Sequence, residues 1–417
     1  MSKHGTAYLK FTRCSECTLK GRPVVPGYGN TDHPFIAFVA EAPGETEVEQ
    51  GVPLVGRSGQ LLHRVLQDIG IDEDMCYYTN ACLCNPNANA TPTPRMIKAC
   101  KTRLVRELVA IQPQIIVTLG KMSTMVLTDH KNMRNGHGVY REIALHGGGD
   151  WEGGVLPTYH PAAVLRGPEL FKDFVDELSL AKSIVEGSPA VIQPPYQNYV
   201  YITTQDQFDW LVAELPKHSL VAVDIEADKL ECNEARLLCI GFSWAREHAW
   251  ILDGELLEHH LDNTRRLNEA LKDLRLALQN GIFDIPFMRY HGLTNAFYYF
   301  DTMQAHYLID ERQNTHGLER LAIRYYRAPD YKSAFRRAIG VKSFVADELF
   351  ANAIAGAPKE QLFDYNGADV DYTYRLARDL IIEVEKQGQL PVFRDVEMPS
   401  CRTFAEFTEY GMLIDRD

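Results

Sequence analysis

The stretch VAVDIEAD (221–228) constrains this chain more than any other, because it sets two acids into an otherwise apolar run. SLVAVDIEA (219–227) reads as a strand, and a period of two sends Asp224 and Glu226 to the same face. Two adjacent carboxylates repel, and burial raises the cost of their charge further. A divalent cation relieves both problems. A strand with one polar, solvent-facing side is the alternative reading. The apolar neighbours favour a placed metal site.

The surrounding pattern predicts two α/β domains. Residues 1–185 alternate strands at 35–40, 76–81, 114–119 and 155–159 with helices at 58–69, 94–111, 121–128 and 168–185. That rhythm predicts a three-layer αβα domain around a largely parallel sheet. EGSPAVIQPPYQNY (186–199) is rich in proline, which marks residues 186–198 as a linker. Then come a strand at 199–204, a helix at 205–214, and strands at 219–227, 236–244 and 247–253. Three strands in succession predict a meander within a mixed sheet. Residues 256–390 read as mostly helical, so the second domain is expected over 199–390, with 391–417 beyond it.

Charge bounds the partners. The net charge of −13 over 417 residues excludes a strongly basic nucleic-acid coat. It does not exclude DNA, because phosphate contacts are local and acids at a metal site are neutralised by the cation. Positive charge gathers once, at 319–344, where Arg320, Arg324, Arg327, Lys332, Arg336, Arg337 and Lys342 lie among three tyrosines. A solvated helical face and a phosphate-tracking surface both fit. MSKHGTAYLK lacks the apolar core of an export signal, and no apolar run reaches the roughly 18 residues of a membrane span. The expected location is therefore cytoplasmic. Nine cysteines in such a chain suggest reduced thiols or metal ligands.

Two later segments extend the acid pattern. LQNGIFDIPF offers Asn280 and Asp284, and FDYNGADVDYTYRL offers Tyr365 and Asp369, which share a face if helical. Singly, Asp284 reads as a turn residue and Tyr365 as a core aromatic. In order, D-x-E (224–226), N-x-x-F-D (280–284) and Y-x-x-x-D (365–369) resemble the motifs of proofreading 3′–5′ exonucleases. These belong to the ribonuclease-H-like DEDD group with tyrosine. FDTMQAHYLID (300–310) is similar to the segment between the second and third motifs in family A DNA polymerases. The resemblance covers about residues 199–390. It implies a ribonuclease-H-like exonuclease in which Asp224, Glu226, Asp284 and Asp369 hold two Mg²⁺ or Mn²⁺ ions for two-metal hydrolysis. It implies that Tyr365 orients the attacking water, that Asn280 supports the site or contacts DNA, and that the substrate is a single-stranded 3′ end. On the phosphate-tracking reading, Arg336 and Arg337 contact that DNA. DVEMPSCRTFAEFTEYGMLIDRD (395–417) looks like the opening of a polymerase domain in the same family. That implies the front part of a longer phage polymerase, with its polymerase domain in cis and a bacterial host cell as its setting.

In the first half, FIAFVAEAPGETEVEQGVPLVGRSG (35–59) runs from a buried strand into a glycine-rich, acidic turn. The carboxyl end of such a strand is where open α/β sheets bind ligands. Cys14 and Cys17 form C-x-x-C, and Cys84 and Cys100 are separated by fifteen residues. Four thiolates suit a Cys₄ zinc site or a [4Fe–4S] cluster, and spacing does not separate the two. Cys76 and Cys82 read as packed thiols.

EAPGETE (41–47), GVPLVGRSGQLL (51–62), TNACLCNP (79–86), VTLG (117–120) and LPTYHPAAVLR (156–166) follow in order. Together they resemble the iron–sulfur uracil-DNA glycosylases of the family 4 type, over about residues 10–185. The resemblance implies a [4Fe–4S] cluster on Cys14, Cys17, Cys84 and Cys100, and a flipped base from a uracil-containing strand. It implies that Glu41 polarises water or stabilises the cationic sugar, with Glu47 a second acid beside the pocket. Asn80 would read the base edge, His160 would donate to the base oxygen, and Arg166 would hold a phosphate. Leu54 stands where the family usually has phenylalanine, which keeps apolar contact but loses base stacking of about 1–3 kcal/mol. Leu83 and Asn85 stand where basic residues are usual, which weakens phosphate binding. Three readings follow: a glycosylase joined to an exonuclease, an exonuclease joined to a non-catalytic, glycosylase-like DNA-binding or structural module, or an exonuclease-like scaffold with no activity.

Overall fold

Short apolar runs bounded by turn residues become the strands of two sheets, one in each of the two units into which the chain divides, Met1–Val191 and Ile192–Asp417. The computed structural model describes residues 7–86, 89–128, 133–258, 260–312, 315–341, 350 and 353–410.

The first sheet contains β1 (Tyr28–Gly29), β2 (Ile36–Ala40), β3 (Cys76–Asn80), β4 (Ile115–Leu119), β5 (Arg141–His146) and β6 (Asp150–Thr158). Their order is β1-β3-β2-β4-β6-β5. The four central strands are parallel, with Phe38 opposite both Tyr78 and Val117, and the two edge strands are antiparallel. Six helices matter here: α1 (Glu45–Gln50), α2 (Arg57–Asp68), α3 (Pro94–Ile111), α4 (Lys121–Thr128), α5 (Pro161–Arg166) and α6 (Phe171–Val185). The pleat decides which residues meet which helix. Ala37, Val39 and Ile116 pack with Leu104 and Leu108 of α3 on one side. Ile36, Phe38 and Val117 pack with Leu62 and Leu66 of α2 and Phe174 and Leu178 of α6 on the other. All five residues of β2 are buried, as expected of a parallel strand covered on both faces. The unit is thus a three-layer αβα domain. α3 starts where the sequence predicts, because Pro94 occupies its first position and the Thr93 hydroxyl accepts the Met96 N–H at 3.4 Å.

The β5 edge of this sheet differs from expectation. The strand read at 155–159 begins at Asp150, and Arg141–His146 pairs with it as an unpredicted hairpin partner. β5 alternates half-buried, exposed and buried residues, and its run is too polar to stand out as a strand.

The second sheet contains β7 (Tyr199–Ile202), β8 (Leu220–Ala227), β9 (Leu237–Ser243), β10 (Ala249–Asp253), β11 (Arg275–Leu278) and β12 (Tyr298–Asp301), in the order β12-β11-β8-β9-β10-β7. β8, β9 and β10 form the expected antiparallel meander, and β7 pairs parallel to β10. Residues 256–390 are mostly helical, as expected, but β11 and β12 interrupt them as unexpected strands, parallel to β8 and to each other. Each has four residues, and periodicity does not separate so short an apolar run from a helical turn. The helices of this unit include α7 (Gln205–Glu214), α8 (Leu261–Ala270), α9 (Asp284–Tyr290), α10 (Thr302–Ile309), α11 (Leu318–Tyr326), α12 (Tyr331–Ala338), α13 (Lys359–Lys386) and α14 (Met398–Tyr410).

The long helix α13 lies against β8, β9 and β10. Gly241 of β9 permits that approach: a Cβ there would stand 2.2 Å from Asn366 Oδ1. The close approach brings the third acidic segment down onto the first. Lys342 and residues 411–417, within the segment compared with a polymerase opening, lie outside the described residues. Among the described residues no helix is long and apolar enough to cross a membrane.

Candidate active sites

In the second unit, β8 presents Asp224 and Glu226 to the face that α13 covers. Asp369 and Tyr365 lie one turn apart on α13, so both turn toward β8. Oxygens of Asp224, Glu226 and Asp369 all lie within 4.8 Å of one another. Burial and mutual repulsion act as the sequence predicts. Burial first, then the charges of Asp369, Asp284 and Glu226, push the Asp224 carboxyl well above the usual carboxylate range. Burial and Asp369 raise Glu226 to about 8. A donor set of closely spaced carboxylates that cannot all ionise unaided fits a hard divalent cation.

Asp284 is the fourth acid but lies outside that group of three. It opens α9, is 5% exposed, and is raised to about 7 mainly by burial, while the Ile225 N–H that it accepts acts against the rise. Its charge still acts on Asp224 and Glu226. Asn280 is exposed at the end of β11 with φ +63°, a left-handed backbone. The turn it opens is held by buried Asp301, whose carboxylate accepts the Gly281 N–H at 2.9 Å. Tyr365 is buried, and its ring stacks on Phe335 at 4.4 Å. Arg337 is exposed on α12, whereas the Arg336 guanidinium lies over the Phe350 ring at 4.6 Å.

Three residues of this site escaped sequence reasoning. Asn366 Nδ2 donates to Asp224 Oδ2 at 2.8 Å. Tyr331 donates its hydroxyl to Asp369 Oδ1, and Lys332 Nζ donates to Asp369 Oδ2 at 2.6 Å. Asn366 shares a face of α13 with the motif residues, which is a signal the spacing could have supplied.

In the first unit, the carboxyl ends of β2, β3, β4 and β6 converge. Glu41 follows β2, Asn80 closes β3, Gly120 follows β4, and His160 lies two residues after β6. Gly120 has φ +97°, and a Cβ there would stand 2.7 Å from Glu41 Oε1 and 3.1 Å from His160 Cβ. That position therefore needs glycine for both its backbone and its neighbours. Glu41 Oε1 accepts the Met122 N–H at 2.9 Å. Burial raises its carboxyl, and the Met122 and Lys121 N–H groups and the Arg166 charge oppose the rise.

His160 caps α5, with Nδ1 accepting the Ala162 N–H at 3.1 Å. Burial, then the charge of Arg166, lower its pKa to about 4. The ring is therefore neutral near pH 7 and carries its proton on Nε2, as a donor. Asn80 is 1% exposed, and among the described residues its Nδ2 has no hydrogen-bond partner. Its backbone is fixed from behind by fully buried Arg103, whose Nη2 donates to Asn80 O at 2.6 Å and Ala81 O at 3.2 Å. Arg103 Nη1 in turn pairs with Glu107 at 2.6 Å.

Two predicted pocket residues are tied into the fold, although the Glu47 charge still acts on His160. Glu47 accepts N–H groups from Val55 at 3.0 Å, Gly56 at 2.7 Å and Gly44 at 2.9 Å, so both its oxygens are committed to the loop backbone. Leu54 is 5% exposed with φ +55°, and its side chain joins the core with Phe38 and Leu62. Arg166 ends α5 and is exposed.

Of the four predicted cysteine ligands, Cys14, Cys17 and Cys100 lie near enough to Cys84 for their charge to act on its thiol. Cys14 begins a short turn tied to α3 by the bonds Arg13 N to Ala99 O at 2.9 Å and Arg95 Nε to Glu16 O at 3.0 Å. Burial, then the charges of Cys100, Cys14 and Cys17, raise the Cys84 thiol to about 11. A hydrogen bond from Cys82, then the Arg103 charge, hold Cys100 low, at about 6. Cys76 is buried in β3 and Cys82 lies just beyond it, also buried.

Residues 26–179 match the uracil DNA glycosylase superfamily, and residues 199–385 match a 3′–5′ exonuclease family. The type-4 uracil-DNA glycosylase of Saccharolobus solfataricus is 34% identical over 197 residues, 45% of this chain and 88% of that protein. The DNA polymerase of Bacillus phage SP01 is 27% identical over 420 residues, which covers 92% of this chain and 44% of the polymerase. DNA polymerase I of Synechocystis is 31% identical over 247 residues, 55% of this chain and 23% of that protein. The chain belongs to the uracil DNA glycosylase superfamily through its N-terminal unit, which is fused to a 3′–5′ exonuclease domain like those of family A DNA polymerases.

Proposed function

We propose that the second unit removes nucleotides from a DNA 3′ end at the acids of β8, α9 and α13, as the proofreading part of a polymerase whose catalytic domain follows in cis. The observation that carries this is the convergence of Asp224, Glu226 and Asp369 within 4.8 Å, from segments far apart in the chain. Asp224, Glu226, Asp369 and Asp284 would hold two Mg²⁺ or Mn²⁺ ions, which supply Lewis acidity to the attacking water and the leaving 3′ oxygen. Tyr365, a neutral phenol in its buried setting, directs a hydrogen bond at that water. Asn280, Arg336 and Arg337 contact the strand. Digestion of a 5′-labelled single strand in Mg²⁺, lost in Asp224→Ala, tests this; undiminished digestion by the variant overturns it.

The first unit is proposed to bind a flipped base, with Glu41, Asn80 and His160 around it and Arg166 on a phosphate. The unpaired Nδ2 of Asn80 and the Nε2 proton of His160 support this, as two donors available to base acceptors. Glu47 shapes the loop rather than touching the base. Cys14, Cys17, Cys84 and Cys100 would hold a [4Fe–4S] cluster. No three of their sulfurs lie within 4.8 Å of one another, a spread wider than the edge of about 3.8 Å that a single tetrahedral zinc imposes. We infer domains at 1–185 and 199–390, with 186–198 as their linker and 391–417 as the opening of the polymerase. Uracil release from a single strand, read as cleavage at abasic sites, tests excision. A second reading, a base-binding module without excision, is favoured by Leu54, whose side chain is packed in the core. Binding of uracil-containing DNA without release would select it.

A further inference from the structure

We propose that Lys332 is the resident counter-ion of the exonuclease acids, and that a divalent ion must displace it from Asp369 in order to bind. This rests on the metal-site reading of those acids.

Helix α12 delivers two consecutive residues to one carboxylate. Asp330 fixes the helix start by accepting the Ser333 N–H at 3.1 Å. Tyr331, 4% exposed and packed on Tyr372 with ring centroids 5.6 Å apart, gives its hydroxyl to Asp369 Oδ1. Lys332 Nζ occupies Asp369 Oδ2 at 2.6 Å and also lies 3.3 Å from the Tyr365 hydroxyl. Both oxygens of Asp369 are therefore taken by donors from one helix. The ammonium charge also acts on Asp224 and Glu226.

An ion that uses Asp369 Oδ2 competes with the ammonium for the same lone pairs, because two cations at one oxygen repel. Lys332 thus offsets the crowding of negative charge when no metal is bound, and its presence weakens metal affinity. Once released from Asp369, the ammonium retains the Tyr365 hydroxyl as a partner. It then holds the phenol that faces the attacking water. Lys332 is by this account a positioning residue.

The test is titration of the whole chain with Mn²⁺ alone, without DNA, following free Mn²⁺ by electron paramagnetic resonance. Binding at this site is identified by its loss in Asp224→Ala. Lys332→Met is expected to bind Mn²⁺ about 10-fold tighter than wild type, the size of one nearby charge in a partly buried site, with Lys332→Arg close to wild type. Near-ultraviolet circular dichroism checks the fold. Should Lys332→Met fail it, Lys332→Gln removes the same charge with a polar end. Equal or weaker Mn²⁺ binding by the neutral variant overturns the inference alone, provided wild type binds Mn²⁺ and shortens a 3′ end. Wild type that does neither overturns the exonuclease reading and this inference with it.

Discussion

Asn366 Nδ2 donates to Asp224 Oδ2 at 2.8 Å, which ties the helix of the third motif to the strand of the first. The side chain is fully buried, so no water replaces it when it is cut away. Asn366→Ala is expected to cost about 1–3 kcal/mol in denaturant unfolding, the penalty for leaving a buried polar partner unpaired. Exonuclease kcat should fall in the same variant, because Asp224 loses its orientation. Asn366→Asp should be worse on both counts, since it adds a further carboxylate to a site already short of positive charge. Wild-type stability in Asn366→Ala would mean that the bond holds nothing in place.

Glu226 gives the metal-free protein a pH-dependent weakness. Its carboxyl titrates near 8 in the folded chain, against 4.5 for the free group, chiefly through burial and then Asp369. Between these values the unfolded chain has lost a proton that the folded chain keeps, so stability falls as pH rises from about 4.5 to about 8. Glu226→Gln does not titrate. The stability of wild type relative to Glu226→Gln should therefore decline across that window by a few kcal/mol in chelator, and excess Mg²⁺ should flatten the decline. Thermal melts at half-unit pH steps measure it. A difference independent of pH would show that Glu226 ionises freely.

What the sequence carried and what it concealed divide along physical lines. Spacing rules are rigid, so D-x-E on β8 and Y-x-x-x-D on α13 could be placed on common faces before any fold was known. Capped helices were also plain: Gln205–Glu214 and Pro94–Ile111 each begin behind a threonine. β11 was missed because four residues carry too little pattern. Lys332 read as one cation in a basic run, since its partner lies 37 residues away and only the packing of α12 on α13 brings them together. The N–H groups that Glu47 accepts could not be foreseen, because backbone partners leave no mark on composition. The left-handed backbone of Leu54 likewise has no signal, since leucine does not announce a positive φ.

Arg103 and Glu107 are both wholly buried and 2.6 Å apart, one turn along α3. Tyr77 donates its hydroxyl to Glu107 Oε1 at 2.6 Å and Thr79 does so at 3.0 Å, so the pair is embedded in a network. Arg103→Met leaves the carboxylate buried without its cation and is expected to cost about 3–5 kcal/mol. Arg103→Met with Glu107→Leu should recover part of that loss, since no unpaired charge remains. The double variant should still bind uracil-containing DNA less well than wild type, because the Asn80 carbonyl has lost the donor that fixes it. Denaturant unfolding of wild type, Arg103→Met, Glu107→Leu and the double variant closes the cycle, and additive losses would show that the two residues act independently.

His160 separates capping from proton donation. Asparagine also accepts an N–H at a helix start, so His160→Asn should keep α5 in place while removing the Nε2 donor. Excision of uracil, where wild type shows it, should then be lost with the fold intact. The pH response gives a second readout. The folded-state pKa of about 4 lies below the free value of 6.5, through burial and then Arg166. As pH falls through that interval the unfolded chain takes up a proton that the folded chain refuses, so wild type loses stability relative to His160→Asn. Because His160 is only half-buried by accessible surface, the relative loss should be about 1–2 kcal/mol by pH 4, and it should vanish above pH 6.5. Melts of both proteins from pH 4 to 8 decide it: parallel curves would mean that the imidazole is protonated as readily as in water, and that a neutral donor is not what this pocket holds.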